Sequence, residues 1–172
     1  MNTSYLVAAA LAAAALAVPV AASAEGAIVR IKRNPEALIL DAARVNAGAD
    51  VVYVSGQLPS PLDPAKPMSE VTSVADMGDT KAQTISVLGK IRDILATQGF
   101  GLQDVVKLNL FVAADPSLGK MDFAGVNEGF RQFFGTAENP ETVARSTFEV
   151  AALVGPHFLI EIDAMAARTP AP

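Results

Sequence analysis

The spacing of apolar and polar positions divides most of the chain into short strand-like runs and two helical ones. Residues 27–33 (Ala-Ile-Val-Arg-Ile-Lys-Arg) read as a strand with a charged end, the kind of charge that protects a sheet edge. Residues 37–45 suggest a second strand, and Ala47-Gly48-Ala49-Asp50 a turn. The run Asp50 to Gly56 is strongly β-favouring and continuously apolar in its middle, as a central strand would be. From 57 to 76 no clean period appears, and Pro59, Pro61, Pro64 and Pro67 keep that stretch out of a sheet interior. Such a segment is either a lid or ordered surface coil.

Residues 79–98 give the clearest helix. Asp79 or Thr80 caps it, Ile85, Leu88, Arg92 and Leu95 follow helical spacing, Ile91 and Ile94 widen the apolar face, and Gly99 ends it. Alternation returns over 104–112, followed by a second helix over about 118–134. Its Phe123, Val126, Phe130, Phe133 and Phe134 form a stripe suited to a core. Two strands, 143–152 and 158–167, close the domain around a turn at Gly155-Pro156, and 168–172 read as a disordered end. Segregated strands with two helices predict an α+β fold, a mixed sheet of about six strands with both helices on one face. The other face then lacks a cover, which self-association would supply.

The first 24 residues hold 19 hydrophobic side chains, 11 of them Ala, and no charged one. The 13-residue run Leu6 to Val18, then Pro19 and Ala22-Ser23-Ala24, has the length and small-residue ending of a secretory leader cleaved before Glu25. It is too short to span a bilayer, so the expectation is an exported protein, periplasmic or secreted, with no stable membrane insertion after cleavage. One domain over 25–167 remains. A net charge of −5 argues against a nucleic-acid binder. Without cysteine, thiolate zinc, iron–sulfur clusters and a cysteine nucleophile are excluded. His157, the single histidine, lies in the last turn without metal-ligand spacing around it. Neither a metal nor a cofactor is expected.

Chemistry concentrates in the last two strands. If Phe148 and Val150 take the packing side, Arg145, Thr147 and Glu149 share the other. In the next strand Phe158, Ile160 and Ile162 would pack while Leu159, Glu161 and Asp163 point away. A hairpin centred near residue 154 would then set Arg145 and Thr147 across from Glu161 and Asp163. An arginine fork suits a carboxylate, and a glutamate can position or deprotonate a water. The same arrangement also fits a cross-strand ion pair on an exposed sheet.

Four segments carry a resemblance. They are Tyr53-Val54-Ser55-Gly56-Gln57-Leu58-Pro59, Val126-Asn127-Glu128-Gly129-Phe130-Arg131-Gln132-Phe133-Phe134, Ala144-Arg145-Ser146-Thr147 and Ile160-Glu161-Ile162-Asp163-Ala164-Met165-Ala166. In order and spacing, from about 37 to 167, the chain resembles the RidA (YjgF/YER057c) family. The resemblance implies a chorismate-mutase-like α+β fold, a homotrimer with clefts between subunits, and hydrolysis of 2-imino and 2-enamino acids to 2-keto acids and ammonia without metal or cofactor. By position, it makes Arg145 the carboxylate anchor and Glu161 the group that handles water. Ser55 and Gly56 line the cleft, and Asn127 is a helix polar residue beside it. Thr147 stands where many members have Cys, Val143 replaces a usual Pro, and 34–40 lack a tyrosine that many members contribute to the cleft. The other reading is a non-catalytic trimer that binds small carboxylates or acts as a holdase.

Overall fold

A computed structural model describes residues 26–170. The expected leader, 1–24, and the last two residues lie outside them. Strands β1 (Ile28–Ile31) and β2 (Ala42–Val45) form an antiparallel two-stranded sheet of their own. Strands β3 (Asp50–Gln57), β4 (Val105–Ala113), β5 (Ala144–Val150) and β6 (Ile160–Arg168) form the main sheet. Its order is β3-β6-β4-β5. The α+β class and the six strands agree with expectation; their union into one sheet does not. The expected strand at 37–45 begins only at Ala42, because the preceding backbone is spent elsewhere. Leu40 donates its N–H to the Val143 carbonyl at 3.0 Å, and the Thr142 hydroxyl donates to the Leu38 carbonyl at 2.6 Å.

The expected hairpin between 143–152 and 158–167 does not form. Strand β4 lies between its two members, parallel to β5 and antiparallel to β6. The segment β4–α3–β5 is a strand–helix–strand crossover, which places successive strands parallel with the helix packed on the sheet. β6 then takes the free side of β4. Arg168, expected in a disordered end, is the last residue of β6. Its guanidinium donates to the Gly99 carbonyl and stacks 4.5 Å from the Phe100 ring.

Among the described residues three α-helices accompany the sheets: α1 (Val74–Met77), α2 (Thr80–Thr97) and α3 (Phe123–Phe130). Asp79 caps α2, accepting from Ala82 N–H at 2.8 Å, and Gly99 leaves it with φ +74°, a conformation glycine adopts without strain. The buried stripe of α2 is Gln83, Thr84, Val87, Leu88, Ile91 and Leu95, whereas Ile85 and Ile94 are only half-buried and Arg92 is exposed. Helix α3 is shorter than the expected 118–134. The turn closed by Asp115 and Lys120 precedes it, and Asp122 caps it through Gly125 N–H at 2.9 Å. The helices approach at Gly129, where a Cβ would lie 2.8 Å from Thr84 Cβ.

The core forms where α2 and α3 cover one face of the main sheet. Val87, Leu88, Ile91 and Leu95 meet Leu108, Leu110, Val112, Ile160 and Ile162, with Val126, Phe130 and Phe134 closing the side. Inside it, Gln83 is fully buried and bonded at both ends. Its Nε2 donates to the carbonyls of Gly78 (2.9 Å) and His157 (3.1 Å), and its Oε1 accepts from Leu159 N–H (2.8 Å). This residue ties the start of α2 to the start of β6. The proline-rich stretch is coil with a 3₁₀ turn at Met68–Glu70 and ends in α1, held by Asp76, which accepts from Lys66 Nζ (2.5 Å) and from the N–H groups of Thr72 and Ser73 (3.0 and 3.1 Å).

Candidate active site

Two clusters hold the expected residues. Arg145 pairs in register with Leu108, and Thr147 with Leu110. Both therefore share the sheet face that carries the buried leucines and the helices. Over that face, the Arg145 guanidinium lies 4.7 Å from the Phe130 ring and 5.7 Å from the Phe123 ring. Its Nη2 donates to Asn127 Oδ1 at 2.7 Å. Its Nε and Nη1 are buried and have no hydrogen-bond partner among the described residues. Burial, with a smaller contribution from the nearby Arg131 charge, pushes its pKa down to about 10. It is therefore a cation at neutral pH.

An unneutralised buried cation is costly. Here two ring faces and one amide oxygen supply partial compensation, and the Nε and Nη1 nitrogens keep their donors unused. Nε–H and the Nη1 hydrogens point to different edges of the guanidinium, so a carboxylate bonds one of them in parallel with the Nη2 hydrogen that Asn127 leaves free. Glu149, further along the same strand face, accepts from Met121 N–H at 3.0 Å. That bond fixes the chain just before Asp122 and Phe123, and so holds the ring that flanks Arg145.

The second cluster is on the opposite face. Glu161 pairs with Phe111, whose ring stacks on Phe148 at 6.1 Å. The register between β3 and β6 shifts between Val54 and Gln57, so Ser55 and Gly56 bulge beside Glu161. A Cβ on Gly56 would lie 1.9 Å from Glu161 Oε1. A side chain at position 56 would displace that carboxylate. A cavity of about 410 Å³ opens here, lined in part by Ser55, Gly56, Lys107, Asn109 and Asp163. Lys107 Nζ donates to Ser146 Oγ at 2.6 Å, and Asn109 Nδ2 to Asp163 Oδ1 at 3.0 Å.

The structure thus joins Arg145 with Asn127, and Ser55 and Gly56 with Glu161, but it does not join the two groups within one protomer. The expected alternation holds along β5 and β6, but Leu159, expected to point away with Glu161, is buried ahead of β6, and Arg145 and Glu161 do not share one face. Phe148, expected to pack inside, is 49% exposed. The aromatic clamp of Phe123 and Phe130 around Arg145 was not anticipated, since the phenylalanine stripe read as core alone. The four-residue spacing of Phe123 and Asn127 is the sequence signal for it.

The family model described as Endoribonuclease L-PSP matches residues 41–168. A RutC family protein of Pyrococcus horikoshii is 34% identical over 122 residues, which are 71% of this chain and 82% of that protein. The 3-aminoacrylate deaminase RutC of Acinetobacter baylyi is 34% identical over 117 residues, 68% of this chain and 79% of that one. Among solved structures, a protein of unknown function of the conserved Rid family from Yersinia pestis, YyfB, superposes with a TM-score of 0.59 at 25% identity. The match covers 81% of this chain and 98% of that one. The segments flanking Arg145 and Glu161 fall inside the matched span, and the chain belongs to the RidA/YjgF family.

Proposed function

We propose that this chain is a homotrimeric deaminase that hydrolyses 2-imino and 2-enamino acids to 2-keto acids and ammonia. In this reading each cleft combines the Arg145 cluster of one protomer with the Glu161 cluster of its neighbour. The observation that carries it is the Arg145 guanidinium, over the Phe123 and Phe130 rings and with its Nε and Nη1 nitrogens unpartnered among the described residues. The naming of a similar protein as a 3-aminoacrylate deaminase supports the reaction class. The exposed sheet face with Phe148, Tyr53 and Glu161 supports a second copy as its cover.

In the reaction, Arg145 holds the substrate carboxylate and so fixes the adjacent electrophilic carbon. Nε and Nη1 are out of solvent reach, so the half-exposed Phe123 ring turns aside as the anion docks. An enamine first tautomerises to the imine, gaining a proton on carbon and losing one from nitrogen. Glu161 of the neighbour accepts a proton from water as the water oxygen bonds to the imine carbon. That proton passes to nitrogen to give the carbinolamine; Glu161 then moves the carbinolamine hydroxyl proton to nitrogen as the carbon–nitrogen bond breaks, so that the carbonyl forms and ammonia leaves. Ser55 and Gly56 shape the floor beside Glu161, and Asn127 orients Arg145. Thr147 presents its backbone to the substrate.

The test is keto-acid release from imines generated in situ by an amino-acid oxidase. Wild-type turnover with at least about 100-fold loss in Arg145→Ala is expected, as for removal of a positioning ion pair. Equal rates would refute the role. The second reading, carboxylate binding without turnover, is favoured by the absent tyrosine at 34–40. It predicts Arg145-dependent thermal stabilisation by a 2-keto acid with no catalysis. Export through cleavage after Ala24 completes the proposal, and the mass of the mature N-terminus tests it.

A further inference from the structure

Phe123, Asn127 and Arg131 stand four residues apart, and such positions share one face of a helix. The first two lie against Arg145. Arg131 follows one turn later as the residue that closes α3, its N–H bonded to the Asn127 carbonyl at 3.1 Å. Its charge acts on Arg145 through space. Arg30, Arg33 and Arg92 each have a carboxylate partner, whereas among the described residues Arg131 and Arg145 have none. Two neighbouring guanidinium groups thus lack an anion.

Beyond Arg131 lies a cavity of about 410 Å³, between the end of α3 and the loop from β1 to β2. Lys32, Glu36, Leu38, Arg131, Phe134 and Thr142 are on its wall. Glu36 is its one acid, outnumbered by Lys32 and Arg131. The loop is fixed there by its hydrogen bonds to Thr142 and Val143, just before Arg145. The stretch that lacks the cleft tyrosine therefore contributes to a positively charged hollow.

We infer that Arg131 and Lys32 form a second anion-binding subsite beside Arg145, which selects 2-imino dicarboxylic acids by holding their distal carboxylate. The inference rests on the deaminase reading and narrows its substrate class. A small apolar imino acid leaves the two cations unpaired, whereas a dicarboxylate satisfies both ends.

Imines generated by amino-acid oxidases from glutamate and from alanine provide the test, with kcat/KM measured for both on the full chain. The glutamate-derived imine should be preferred. Arg131→Gln should lower the ratio of the two kcat/KM values about 10-fold, the size of one charge-assisted hydrogen bond. Arg131→Lys should restore part of it, and Lys32→Gln, useful if Arg131→Gln does not fold, should lower the ratio in the same direction. Turnover of both imines with a ratio insensitive to these variants would overturn the subsite and leave the deaminase reading standing. A changed sedimentation profile for Arg131→Gln with the ratio intact would assign Arg131 to a subunit contact, also overturning it. No turnover of either imine would overturn both.

Discussion

Arg145 and Glu161 stand on opposite faces of one sheet, the first in register with Leu108 and the second with Phe111 on the same strand β4. A single protomer cannot close a cleft around both. In the proposed trimer each cleft would take Arg145 from one protomer and Glu161 from its neighbour. Arg145→Ala and Glu161→Gln should therefore each be inactive alone, yet complement when co-assembled. Random mixing in equal amounts leaves about one cleft in four intact, so about a quarter of wild-type activity should return. If the mixture stays as inactive as its parents, the shared cleft is wrong.

Gly56 is the tightest point of the Glu161 cluster. Gly56→Ala places a methyl where Glu161 Oε1 now sits, and the carboxylate must move. A displaced base costs rate rather than binding, so kcat should fall about 10- to 100-fold. Stabilisation by a bound 2-keto acid, which depends on Arg145, should persist. Loss of that stabilisation together with rate would show that the bulge serves the anion site instead.

Gln83 tests the join between helix and sheet. Gln83→Leu keeps the volume but removes one acceptor and one donor group from three buried backbone partners. The expected loss is about 3 kcal/mol, or roughly 10 °C in Tm. Calorimetry that shows no shift would mean the backbone re-pairs without it.

Asp76 anchors the proline-rich segment. Its carboxyl is held well below the usual carboxylate range by the hydrogen bond from Lys66, then by the Thr72 N–H. A lowered folded pKa gives stability that is present above the unfolded value of about 4 and lost as pH falls through the folded one. The Tm difference between wild type and Asp76→Asn should be constant above that value and shrink below it. A difference independent of pH would assign the anchor to packing.

Local residue order was enough to determine much of this molecule. The capped α2, the alternation in β4, and the breaking of strand structure by prolines at 57–76 all follow from short-range rules: periodicity, a capping Asp and a missing N–H. The chemical character of Arg145 and Glu161, and the alternation along their own strands, were legible for the same reason. What no local rule contains is which strand lies beside which. Strand β4 entered between β5 and β6 because a helical crossover returned the chain parallel to it, and that one placement put Arg145 under α3 and Glu161 on the bare face. The clamp of Phe123 and Phe130, the bulge that seats Glu161 on Gly56, and the nearness of Arg131 to Arg145 are likewise products of packing between segments far apart in sequence. Side-chain type is a property of the chain, but the face a side chain presents to another strand is fixed only when the sheet is assembled.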